Sequence, residues 1–386
     1  MIATNPINNV ARCFFKAALV AIALPLSLTA TAMKSLNDEQ LSEVTGQALF
    51  VSDYVNGVGT NDGNPFNEFG FYRMGLDVEL AMNANIDKLA LGCGGVNSNL
   101  AGTPNCDIDF DYVRFMGRDG SAPGDPVTSD FTLTRPFIEL AVKNDDTKTM
   151  REIAGIKIGS QKADGFVSIG RSYTSGQINQ EHGGTCTGAN EGNGALACHS
   201  GINSLSGDLN IEMSARVPVR VIGVLNGTAC FGNTSPSIGS DACGSGDEYF
   251  TRIRGTRMSA VGLQDVPLKL QDLCVLFICI NNGAADISES LRFVHGFALE
   301  DTEDFGLSFQ RERISYPLFN KLGFSAEANT GWWMNVPDVK VLNIQGARQD
   351  LGVGEAISAL GEGVNLINVE LNQSPAVNCY GGNRFC

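Results

Sequence analysis

From Leu209 to Val221 the chain alternates strictly. The odd positions are Leu209, Ile211, Met213, Ala215, Val217, Val219 and Val221. The even positions are Asn210, Glu212, Ser214, Arg216, Pro218 and Arg220. A period of two puts one set on each face of an extended chain, so this is a half-buried strand. Pro lacks the N–H that a sheet ladder needs, so Pro218 predicts an edge position or a bend. Leu76 to Ile86 repeats the pattern, with Leu76, Val78, Leu80, Met82, Ala84 and Ile86 on one side. Further strand candidates are 108–115, 137–143, 152–158, 166–169, 249–253, 291–299, 307–314 and 339–344. Turn dipeptides punctuate them: Asp62-Gly63, Asp119-Gly120, Asp164-Gly165, Asn226-Gly227 and Asn282-Gly283. Helix is scarce. Ser35 can cap a short N-terminal helix, with Asp38 at the capping-box position and an end near Gly46, and Gly354 to Leu360 reads as another turn or two. The expectation is an all-β chain: a large antiparallel β-sandwich or elongated β-sheet stack, with decorated loops and a short N-terminal helix.

The first residues read as an export signal. Arg12 and Lys16 precede an apolar run from Ala17 to Leu28, and Ala30-Thr31-Ala32 is an A-x-A cleavage site. The apolar run falls short of the roughly 20 residues that span a bilayer. The expected organisation is therefore a signal peptide over 1–32, a short helical segment over 33–50 and a β-rich domain over 51–386, with room for two subdomains meeting near residue 200. Forty-five glycines, 18% charged residues and 43% hydrophobic residues describe a turn-rich folded chain rather than a disordered one. The formal charge of −15 repels nucleic acid and anionic lipid headgroups.

Export decides how the eleven cysteines read. Cys13 lies in the signal, and the ten that remain form a disulfide framework. Cys93–Cys106, Cys186–Cys198, Cys230–Cys243 and Cys379–Cys386 each close a loop rich in Gly, Asn, Ser or Pro. Cys274 and Cys279 fit less simply. In one strand they stand about 16 Å apart, so either the residues between them bend tightly or each pairs elsewhere. His182 and His199 flank the Cys186–Cys198 loop, but the spacing matches none of the common zinc patterns.

Chemistry is sparse. Asp107, Asp109 and Asp111 alternate on one strand face and read as a solvated acidic surface; Glu300 to Asp304 reads as a charged hairpin turn. Asn61-Asp62-Gly63-Asn64 resembles a fragment of a calcium loop without its remaining ligands, so no cofactor is expected and calcium is only a weak option. No Gly-x-Ser-x-Gly, Walker or GxGxxG motif occurs, and His295 sits in an alternating strand. The expectation is a non-enzyme. Trp332-Trp333 is the one dense aromatic site. Adjacent strand residues face opposite ways, so one packs inside, and the other either packs as well, the reading preferred here, or is exposed to meet a partner or a glycan.

Leu36 to Gln47 carries Asp38, Leu41, Ser42, Val44, Thr45, Gly46 and Gln47 in the pattern Leu-x-Asp-x-x-Leu-Ser-x-Val-Thr-Gly-Gln. This resembles the mature N-terminus of a family of exported Gram-negative envelope proteins of unknown function, some called pilus-assembly or filament proteins. The resemblance covers about a dozen residues and implies a cell-envelope or surface role with no catalytic residues. The resulting expectation is an exported protein in the periplasm, outer membrane or cell surface. It would act through contacts with other envelope proteins or with itself, as a filament subunit or accessory. An outer-membrane β-barrel, or a surface adhesin using Trp332 or Trp333, is the alternative.

Overall fold

The computed structural model describes residues 49–57, 69–119, 126–187, 196–221, 223, 225–231, 249–271, 274–275, 278–279, 282–319, 321–346, 348–362, 364–367 and 371–378. The export signal, the N-terminal motif with its helix, Asn61 to Asn64, Cys243, Cys379 and Cys386 lie outside the described residues.

Eighteen strands join in one hydrogen-bonded network. They are β1 (Phe50–Asn56), β2 (Phe69–Leu76), β3 (Glu79–Met82), β4 (Ala84–Leu91), β5 (Ile108–Met116), β6 (Phe131–Lys143), β7 (Glu152–Ile169), β8 (Ile202–Val221), β9 (Leu225–Phe231), β10 (Tyr249–Met258), β11 (Ala260–Gln271), β12 (Asn282–Ser290), β13 (Gly296–Glu303), β14 (Gly306–Gln310), β15 (Gly331–Gly346), β16 (Gln349–Leu351), β17 (Val364–Ile367) and β18 (Leu371–Asn372). Helix α1 (Val353–Glu362) covers the helical turns expected over 354–360.

The alternation in β8 is borne out: all seven odd-numbered apolar residues from Leu209 to Val221 are buried. Burying such a side chain stabilises by about 1.5–3 kcal/mol, which is why the register of this strand is firmly set. The strand is central rather than an edge. One side pairs with β10 and β9, and the other with β5, β15 and β16. Pro218 is accommodated because pairing on the second side lapses between Arg216↔Gln345 and Val219↔Gln349.

The pairings close on themselves. β5 pairs with β7, β7 with β13 and β14, both of these with β15, β15 with β8, and β8 again with β5. Phe110, Val113, Ile169, Leu299 and Val336 are buried within this circuit, and only a cavity of about 40 Å³ remains beside them. The expected antiparallel arrangement needs correction, because β8–β15, β8–β16 and β12–β17 are parallel. Turn dipeptides report only local hairpins, whereas β8 and β15 are joined through more than a hundred intervening residues.

Local corrections have local causes. Leu76 to Ile86 is three strands, and Leu76 and Leu80 are exposed. Asp164-Gly165 is not a turn but lies inside the long strand β7. Gly165 has φ +147°, and an added Cβ would meet the Phe131 ring and lie 2.8 Å from the Met116 carbonyl oxygen. The glycine is there for close packing. Asn226-Gly227 lies within β9 rather than at its turn. The 291–299 candidate begins as a 3₁₀ turn at Leu291–Phe293 before β13 starts. Glu300 to Glu303 are strand, and the reversal falls on Asp304, whose φ is +57°.

Candidate interaction face

On the wing formed by β1, β2, β6, β7, β14 and β15, each residue has a cross-strand neighbour. One row reads Ser52↔Met74↔Ile138↔Ile158↔Leu307↔Met334. The row beside it reads Tyr54↔Tyr72↔Leu140↔Ile156↔Phe309↔Trp332. Between them in sequence, and so on the opposite face, runs Asp53↔Arg73↔Glu139↔Lys157↔Ser308↔Trp333. The polarity is the reverse of a half-buried strand. Met74, Ile138, Ile156, Ile158 and Phe309 are exposed at 55%, 45%, 39%, 55% and 43%, whereas Arg73, Glu139, Lys157 and Ser308 are buried.

The inner face is covered by the 311–328 segment. Tyr316 and Phe324 pack on Phe71, with ring centroids 5.9 and 6.0 Å away. The Arg73 guanidinium lies 4.7 Å from both the Phe137 and Phe319 rings, and it holds the Glu139 carboxylate at 2.9 Å. At the far end of the outer rows Leu307, Met334 and Trp332 pack partly against the core, while Met74, Ile138, Ile156, Ile158 and Phe309 stay exposed. Phe50, 70% exposed, stands opposite Leu76 and extends the apolar surface to β1. Among the described residues β1 pairs with β2. Tyr54 is held in place: its hydroxyl and that of Tyr72 donate to Asp145 at 2.7 and 2.8 Å. The bond to Asp145 pushes the Tyr54 pKa up to about 12.

The two tryptophans face opposite sides of β15. Trp333 is sealed inside, 1% exposed, and Trp332 stands half-buried on the outer face with its ring 5.3 Å from Phe309. What sequence reading missed is that Trp332 ends a row holding the exposed Ile156 and Phe309; only the register reveals this.

The acidic strand is not a solvated surface. Asp107 and Asp111 are buried. Asp107 accepts from Arg257 Nε at 2.8 Å, from Asn97 Nδ2 at 2.9 Å and from the Trp332 amide at 3.0 Å. Lys88 bridges Asp109 and Asp111, and Asn203 donates to both. Burial alone would raise the Asp111 pKa, but these donors and the charges of Lys88 and His182 bring it below its ordinary value. These side chains already hold the acidic oxygens, and no cluster able to hold a metal occurs among the described residues.

The cysteines follow the expected framework where they are described. Cys93–Cys106 and Cys186–Cys198 are disulfides. Cys230 is also disulfide-bonded, its expected partner Cys243 lying outside the described residues. Cys274 and Cys279 face each other in a two-residue-per-arm antiparallel ladder, so the two are brought together locally. His182 turns to Asp111, 3.1 Å away, and His199 turns to His295 rather than to a metal. His295 is fully buried just before β13. Among the described residues no helix is long and apolar enough to cross a membrane. No protein-family profile, no characterised protein and no solved structure matches the chain.

Proposed function

We propose that this is a non-enzymatic, exported envelope or surface protein that works by protein–protein contact, as a filament subunit or accessory assembling with further copies of itself. One observation carries the reading: Phe50, Met74, Ile138, Ile156, Ile158 and Phe309 are exposed side by side on β1, β2, β6, β7 and β14. A second copy seated on this face would cover Phe50, Met74, Ile138 and Ile158 and remove their apolar surface from water. Contiguous exposed apolar surface on a folded chain marks an interaction site. The disulfides support an oxidising, exported compartment.

An outer-membrane barrel also turns apolar residues outward, but its strands run antiparallel around a polar lumen. Here β8 and β15 run parallel and the closed circuit is packed with apolar side chains. A glycan- or anion-binding role has its own support in a cleft of about 310 Å³ lined by Asn85, Asp87, Tyr112, Arg114, Arg171 and Ser172. Arg171 stacks 3.6 Å over the Tyr112 ring, and burial together with Arg171 lowers the Arg114 pKa to about 10.

Sedimentation of the purified protein over a range of concentrations tests the assembly reading, with Ile158→Glu and Ile138→Glu as variants. Concentration-dependent oligomers that both variants abolish are expected. A wild type that stays monomeric at high concentration overturns the reading. Recovery of the chain in sheared surface material from native cells would place it with filaments; recovery only with detergent would favour the barrel.

A further inference from the structure

The cleft of about 310 Å³ that opens beside β4, β5 and the 375–377 segment holds two arginines that the assembly role does not use. Asn85 and Arg114 are direct cross-strand neighbours on β4 and β5. Arg114 Nη1 donates to the Gly170 carbonyl at 3.0 Å, one residue before Arg171. Arg171 lies over the Tyr112 ring at 3.6 Å, which orients its guanidinium and leaves the rim of N–H groups to donate. The Tyr112 hydroxyl donates to Glu181, which also accepts from Tyr173, so the ring under Arg171 is itself anchored. The opposite wall is pinned at both ends. The Ser168 hydroxyl donates to the Ala376 carbonyl at 3.1 Å, and Asn378 Nδ2 donates to Asn83 Oδ1 at 2.7 Å. Polar groups converging on a cleft whose walls are tied in place are the ordinary make-up of a ligand site.

We propose that this cleft binds a sugar residue bearing a carboxylate, with Arg114 and Arg171 on the carboxylate and Asn85, Asp87 and Ser172 on the hydroxyls. The assignment rests on the glycan- or anion-binding reading and names its ligand. Arg114 is bonded to backbone carbonyls and Arg171 to a ring, so among the described residues neither guanidinium has a carboxylate at ion-pair distance. Glu181 lies near Arg171, but its two oxygens take the Tyr112 and Tyr173 hydroxyls. A guanidinium keeps its charge and its fork matches a carboxylate. Burial and Arg171 hold the Arg114 pKa down to about 10, and a bound carboxylate would offset that repulsion. The lining charges decide between anions. Arg114 and Arg171 are opposed by Asp87 alone, a balance that suits one negative charge and disfavours a phosphate dianion beside Asp87. Asn85 Oδ1 accepts from Asn378 Nδ2 at 3.3 Å, which leaves the Asn85 amide to donate. With the Asp87 carboxylate and the Ser172 hydroxyl it makes a mixed set of donors and acceptors, the set that hydroxyl groups need. The volume stands at the low end of the range for ligand pockets, roughly 300–1,000 Å³, and suits a single sugar ring.

Calorimetric titration of the purified protein with glucuronate, glucose, acetate and inorganic phosphate, at one salt concentration, tests this. Glucuronate is expected to bind. Glucose, which lacks the carboxylate, and acetate, which lacks the hydroxyls, are each expected to bind at least about tenfold more weakly. Arg171→Gln, at an exposed position, is expected to keep the wild-type thermal transition and to weaken glucuronate by a similar factor. Arg114→Gln is expected to weaken it as well, and Arg171→Gln decides the matter if that variant does not fold. Glucose binding as tightly as glucuronate overturns the carboxylate assignment and leaves a glycan site standing. Phosphate binding more tightly than glucuronate overturns the sugar assignment and leaves an anion site standing. Binding of none of the probes overturns both, and glucuronate affinity unchanged in Arg171→Gln overturns the proposed site. These readouts are independent of whether the protein assembles.

Discussion

Ile138 and Ile158 face each other across β6 and β7 and are both about half exposed, while the next pair, Glu139 and Lys157, is sealed. A single residue step separates an apolar pair in solvent from a charged pair in the interior. Because side chains alternate, the strands cannot present one without burying the other. The burial cost of the charged pair is thus linked to the outward display of the apolar rows, and the same register serves the surface proposed for assembly.

The two buried histidines make stability depend on pH. His199 Nδ1 lies 2.8 Å from His295 Nε2, and His295 Nδ1 lies 2.8 Å from the Ile169 carbonyl oxygen. That chain is satisfied when both rings are neutral. Burial lowers His199 to about 4, and burial together with the charges of His199 and Arg114 lowers His295 to about 3. Unfolded, both titrate near the ordinary 6.5. Between these values the unfolded chain binds protons that the folded chain refuses, so stability is full above the unfolded value and falls as pH drops toward about 4. Urea midpoints are expected to be clearly lower near pH 5 than near pH 7.5, with a shallower slope in His295→Gln; equal midpoints in the wild type would refute this.

Arg257 should be among the most sensitive polar positions. Its guanidinium is 1% exposed, bonds Asp107 and reaches the carbonyls of Pro104, Gly92 and Gly94, pinning the Cys93–Cys106 loop to the end of β10. Arg257→Met leaves the buried Asp107 carboxylate without its counter-charge, a change expected to cost about 3–5 kcal/mol by urea denaturation. A loss below about 1 kcal/mol, the range of a surface pair, would show that the pair is not sealed.

Gly165 and Gly262 form a matched test of backbone crowding. Gly165→Ala meets Phe131 and the Met116 carbonyl at φ +147°, whereas nothing lies within 4 Å of a Cβ on Gly262. Gly165→Ala is expected to destabilise by more than about 1 kcal/mol, and Gly262→Ala to be close to neutral. Similar thermal shifts in both would contradict the packing described.

Trp332 and Trp333 should differ in fluorescence. Acrylamide is expected to quench the half-buried Trp332 and to spare Trp333. Trp332→Phe should leave a blue-shifted, poorly quenched emission. Quenching retained in that variant would place Trp333 near solvent.

Much of the secondary structure was legible because period two is a property of consecutive residues. The seven apolar positions of β8, the strands at 108–116 and 249–258, and the α1 turn follow from pattern and local propensity. The Cys93–Cys106 and Cys186–Cys198 pairs followed from loop closure over short, flexible segments. Gly165 misled because a glycine that permits close packing reads like one that permits a turn. Asp107 and Asp111 misled because Arg257, Lys88 and Asn203 come from distant strands.

By itself, then, the sequence determined an all-β chain, where its strands run and which cysteines close its loops, since each depends on neighbours within a dozen or so residues. Only tertiary structure decided the parallel pairing of β8 with β15, the closed circuit, and which alternating face turned inward. On β2, β6 and β7 a segment bearing Tyr316, Phe319 and Phe324 covers the charged side and leaves the apolar side in solvent. The alternation shows that two faces differ; what packs against them decides which one is the inside.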